Sequence, residues 1–79
     1  MGKAGQALRQ ALAAHGISQN QLAVKLDIKR SSVYRWCHEL RDPNGETIVQ
    51  IAIALREINP AAADEFVRLY LGDYLKSNR

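Results

Sequence analysis

Ser31, Tyr34, Arg35 and His38 recur at intervals of one to four residues that place them on one side of a helix. Arg30 heads the same run and Lys29 immediately precedes it. All six carry hydrogen-bond donors and none is a carboxylate, so the set is suited to holding an anion or the edge of a base rather than to making or breaking bonds. An arginine so placed can donate two hydrogen bonds to O6 and N7 of guanine, or it can hold a phosphate. Both readings stand for Arg30, and Arg35 leans toward phosphate. Tyr34 can touch a thymine methyl or a phosphate, or pack on Arg30 or His38. His38 reads as a phosphate contact or an ordinary surface histidine.

Other chemistry finds little support. No nucleophile stands with a base and an orienting group, since Ser18, Ser31 and Ser32 read as helix caps and contacts, and there is no glycine loop to cradle phosphates; no enzyme is expected. His15 and His38 have no further histidine or cysteine at ligand spacing, so neither a metal nor a cofactor is expected. Cys37 is the only cysteine and cannot form an internal disulfide, which fits a reducing cytoplasm. Its place on an apolar stripe predicts burial, against a role as a redox sensor. No charged-then-apolar signal segment follows Met1, and the apolar stretch Ile48 to Leu55 is too short to span a membrane. The expected location is the cytoplasm, on the nucleoid.

The chain has 79 residues, 47% of them hydrophobic, which is enough for one modest globular domain over residues 1–79. The net charge of +3 is unevenly spread: residues 1–41 carry +5 and residues 42–79 carry −2. A basic half beside a mildly acidic one is the electrostatic pattern of a face that meets a polyanion.

The elements that must position the donor face are helices. No sustained alternation favours strands, and the punctuation marks five helices at about 4–14, 19–26, 30–38, 45–58 and 60–71, with a tail over 72–79. In the first, Ala4, Leu8, Ala11 and Leu12 form one stripe, and Gly16 follows as a left-handed cap. Ser18 with Gln21 three residues on is a capping box opening the second helix, whose apolar residues are Leu22, Ala23 and Leu26. In the third, Val33, Trp36, Cys37 and Leu40 face inward, opposite the donors; Trp36 is expected in the core. Arg41 to Gly45 is a turn in which Asn44 can cap the fourth helix. That helix has two stripes, Ile48-Ile51-Ala52-Leu55 and Val49-Ile53, which predicts a central helix covered on both sides. Asn59-Pro60 opens the fifth, and Gly72 is expected to stop it.

Two short helices joined by a tight turn, the second with an outward donor-rich face, make a helix-turn-helix. The run from Gly16 to Ala23 (Gly-Ile-Ser-Gln-Asn-Gln-Leu-Ala), then Leu26-Asp27-Ile28, Ser31 to Trp36, Pro43 and Ile48 to Leu55, resembles the Cro/C1-type (XRE) family of phage and bacterial regulators over about residues 5–58. The resemblance implies an all-α, lambda-repressor-like bundle of five helices that binds double-stranded DNA, commonly as a dimer. It implies a phosphate contact for Gln19, base-facing positions for Arg30, Ser31, Tyr34 and Arg35, and contacts at the two ends of the recognition helix for Lys29 and His38. Three departures stand out. Asp27 replaces the usual glycine, Lys29 replaces a capping serine or threonine, and Leu12 with Cys37 replaces an arginine–glutamate pair between helices one and three. Leu12 is expected to pack near Cys37.

Phe66, Leu69, Tyr70, Leu71, Tyr74 and Leu75 crowd the C-terminal end, more than a short helix can bury. The surplus points to a homodimer seam involving Tyr70, Leu71 and Tyr74, and hence to an inverted-repeat operator. The functional expectation is a sequence-specific transcriptional regulator. The alternatives are a protein-interaction module, such as an antitoxin or phage adaptor docking through helix five, or an accessory subunit of a DNA-processing complex.

Overall fold

The computed structural model describes residues 3–77, with side chains through residue 72. Its elements are α1 (Lys3–Ala14), α2 (Gln19–Leu26), α3 (Arg30–Cys37), α4 (Gly45–Ile58) and α5 (Pro60–Ser77), with no strand among the described residues. α1 packs against α3 and α5, α2 against α3 and α4, and α4 against α5. One core cluster joins all five: Leu8, Leu22, Val33, Cys37, Ile51, Leu55 and Phe66 are wholly buried in it.

Local signals set most helix ends. Gly16 adopts φ 65°, and the Ile17 amide reaches back to the Leu12 carbonyl at 2.9 Å, closing α1 with a left-handed cap. At α2 the Gln21 amide donates to Ser18 Oγ at 3.0 Å and the Ser18 amide donates to Gln21 Oε1 at 2.9 Å, a reciprocal capping box. The Thr47 amide donates to Asn44 Oδ1 at 2.8 Å to start α4, and the Ala61 amide to Asn59 Oδ1 at 3.0 Å to start α5.

Three expectations are corrected. α5 passes through Gly72 to Ser77 instead of stopping there. A glycine inside a helix costs about 1 kcal/mol, and Gly72 lacks the positive φ that a terminating cap requires. Leu40 is 70% exposed, because α3 ends at Cys37 and Glu39 turns left-handed at φ 60°, which carries Leu40 off the inward stripe. The second stripe of α4 is not covered: Val49 and Ile53 are 58% and 54% exposed, while Ile51, Ala54 and Leu55 are buried. α5 approaches the Ile48–Ala52 side of α4, leaving an apolar groove between the two helices rather than a closed contact.

Candidate nucleic-acid interface

The turn between α2 and α3 is only three residues long, Asp27 to Lys29. Asp27 holds φ 59° and ψ 46°, and the Ile28 amide bonds back to Ala23 O at 3.0 Å, so an aspartate fills the left-handed position. Lys29 has the extended geometry of an N-cap (φ −72°, ψ 142°) but makes no side-chain capping bond. With Leu22, Ala23, Val33 and Trp36 buried beneath, α3 is seated firmly and its opposite face is free.

That face carries the expected donors. Lys29, Arg30, Ser31, Tyr34, Arg35 and His38 are all exposed, and Gln19 at the start of α2 is half-buried. The structure sorts them into groups. Gln19, Arg30, Ser31 and Tyr34 surround one open hollow. His38 joins them through Tyr34: the two rings stack with centroids 3.9 Å apart and planes inclined by 29°. Tyr34 therefore packs on His38, one of the readings open from sequence. Arg35 instead lines a separate cleft with Ser32, Arg41, the carboxylate-bearing Asp42 and the start of α4 at Asn44 and Thr47. Arg41 is a cation that the periodicity of α3 could not place, since it lies beyond the helix.

The inner side of α3 is anchored by residues the sequence reading missed. Arg9 Nη1 donates to the Cys37 carbonyl at 3.1 Å, and Arg9 Nη2 lies 3.7 Å from Glu39 Oε2. Leu12 and Cys37 are both buried in the common core. The polar link between α1 and α3 is thus made one turn earlier on α1, by Arg9, while Leu12 is apolar core. Burial pushes the Cys37 thiol pKa above its ordinary value, outweighing the opposite pull of the Arg9 charge. A neutral, buried thiol is poorly suited to redox sensing. Gly5, one turn before Leu8, lies against the backbone of Trp36; a Cβ there would collide with the Trp36 carbonyl oxygen.

A family model described as helix-turn-helix matches residues 8–61, well over half of the chain and all of α2, α3 and α4. The chain belongs to the Cro/C1-type helix-turn-helix family. No curated protein and no solved structure matches it. As a Cro/C1-type helix-turn-helix the chain is a DNA-binding regulator, and its fold is the all-α bundle of that family. No helix among the described residues is long and apolar enough to cross a membrane, and those residues contain no cluster of potential metal ligands.

Proposed function

We propose that the protein is a sequence-specific transcriptional regulator that binds an inverted-repeat operator as a homodimer. α3 lies in the major groove with Arg30, Ser31 and Tyr34 toward base edges. Gln19, Lys29, Arg35 and His38 hold phosphates on either side. The observation that carries this reading is the exposed, carboxylate-free donor face of α3, backed by a fully buried inner face. Occlusion of a promoter by the bound dimer is the simplest mode of repression.

The dimer rests on the groove between α4 and α5. Val49 and Ile53 on α4, with Val67 and Leu71 on α5, are large apolar side chains left in solvent along one continuous groove. Arg56 and Asp64 also line it, and neither makes an ion pair among the described residues. An apolar strip flanked by one free cation and one free anion is self-complementary under a two-fold axis, so the occupant it fits is a second copy of this chain. The seam expected from sequence is thereby extended: Leu71 lies in the groove and Tyr70 lines it, half-buried and parallel to Phe66 with centroids 6.3 Å apart. The Tyr74 side chain lies outside the described residues. An inverted-repeat operator requires the two copies of α3 to sit about 34 Å apart, one turn of DNA.

Selection of bound duplexes from a random library, with light scattering of the free protein, tests the reading. An enriched inverted repeat and a dimer mass support it. Binding with no enriched sequence would overturn sequence-specific regulation. A monomer that forms a stable one-to-one complex with a different protein through α5 would overturn the dimer.

A further inference from the structure

The hollow bounded by Gln19, Arg30, Ser31 and Tyr34 measures about 400 Å³ and has a wall that is more apolar than polar. The side chains able to supply that carbon are the Tyr34 ring and the aliphatic stems of Gln19 and Arg30. His38, one helical turn after Tyr34, covers one face of its ring. Arg30 lies one turn before Tyr34, and the two side chains line the same hollow. The ring is thus braced by His38 and supplies apolar surface to the hollow on the exposed side of α3.

We infer that this surface is a pocket for the C5-methyl group of a pyrimidine, thymine or 5-methylcytosine, in each half-site. The inference rests on the reading of α3 as the DNA-reading helix and names what its Tyr34 selects. A methyl group in the major groove is the apolar feature that distinguishes thymine, and an aromatic or aliphatic surface is what reads it. Arg30 and Tyr34 are four residues apart, about 6 Å along the helix. Successive bases lie about 3.4 Å apart. The methylated base therefore stands one or two base pairs from the base that Arg30 contacts.

The test uses the site obtained by library selection. Each thymine is replaced singly by deoxyuridine, which deletes only the methyl group. One thymine per half-site, one or two base pairs from the Arg30 contact, should weaken binding about fourfold on replacement, the value of one buried methyl. Cytosine and 5-methylcytosine at that position should differ by the same factor. The Tyr34→Phe variant should keep the discrimination and Tyr34→Ala should lose it. Equal binding of thymine and uracil at every position overturns the inference while leaving the regulator reading intact. Loss of affinity in Tyr34→Phe equal to that in Tyr34→Ala, without a methyl effect, makes Tyr34 a hydroxyl contact to phosphate and also overturns it. Failure to select any preferred site overturns both readings.

Discussion

Arg9 and the backbone of Cys37 are joined by a 3.1 Å hydrogen bond that ties the middle of α1 to the last residue of the recognition helix. The same guanidinium faces Glu39, at 3.7 Å, where the chain turns left-handed to leave α3. One side chain thus fixes both the end of α3 and the residue that terminates it. In the family resemblance this link is an arginine–glutamate pair one turn later on α1; here Leu12 and Cys37 occupy those places in the core. The Arg9 side chain is 52% exposed, so its contribution is screened. Arg9→Ala should lower unfolding stability by about 1 kcal/mol, read from urea denaturation, with Arg9→Lys in between. An unchanged midpoint in both variants would mean that the link does not hold α3.

Gly5 gives a prediction in which two rules disagree on sign. Alanine is the better helix former by about 1 kcal/mol, so propensity alone predicts that Gly5→Ala stabilises α1. The added methyl, however, would meet the Trp36 carbonyl oxygen, which is backbone and cannot rotate away. Overpacking of this kind costs about 1–3 kcal/mol, and α1 would have to move off α3 to relieve it. Gly5→Ala should lower the melting temperature by several degrees. A rise would mean that α1 can move off α3 at little cost.

Asp27 holds the left-handed cap of α2, its side chain makes no hydrogen bond or ion pair among the described residues, and it sits beside the proposed DNA face. Asp27→Gly should raise stability by up to about 1 kcal/mol, because glycine adopts this conformation without steric strain. It should also tighten DNA binding by removing a negative charge near phosphate. Asp27→Asn separates the two effects: it keeps the tolerance for the left-handed region and removes only the charge. If Asn and Asp bind DNA equally at low salt, the charge at this position is not near the phosphates.

The elements whose ends are set by short-range bonds were legible in the sequence. Gly16, the Ser18–Gln21 box, Asn44 and Asn59-Pro60 each act within a few residues, and the helix boundaries follow them. Val49, Ile53 and Leu40 were not legible, because whether an apolar side chain is covered depends on where another helix lies, and periodicity carries no such information. Gly72 marks a weak point in α5 but does not by itself decide a stop. For the candidate site, the donor face of α3 was legible from its period. The sorting of Arg35 with Arg41, and the role of Arg9 across 28 residues of sequence, arise only once α1, α3 and α4 are packed.

Cys37 gives a pH dependence. Burial raises its folded-state pKa above the ordinary thiol value of 9.0, so the native state prefers the neutral form. The resulting stability is fully present below pH 9.0, and it is lost as pH rises through the higher folded value. Comparing unfolding of the wild-type protein with Cys37→Ala between pH 8 and pH 10 isolates this group from the lysines and tyrosines that titrate nearby (roughly 10, by their ordinary values). The difference in stability between the two should narrow as pH rises. A constant difference would mean that the thiol titrates normally in the folded state.

Arg56 and Asp64 allow the proposed dimer to be tested by exchange of charge. Both line the groove near the connection between α4 and α5, and a two-fold axis near that end would set each against the other in the second copy. Arg56→Asp alone would oppose two acidic groups, and by symmetry it would do so twice. Exposed ion pairs are worth about 0.2–1 kcal/mol each, so turning two attractions into repulsions should weaken dimerisation by roughly tenfold. Asp64→Arg alone should do the same with opposite charge. The double variant Arg56→Asp with Asp64→Arg should restore the wild-type dimerisation constant in sedimentation equilibrium, because each new pair is again opposite in sign. Restoration distinguishes a reciprocal seam from a general effect of charge on solubility, which would add rather than cancel. If both single variants remain as dimeric as the wild type, the groove does not hold a second copy, and the exposed Val49, Ile53, Val67 and Leu71 await a different partner.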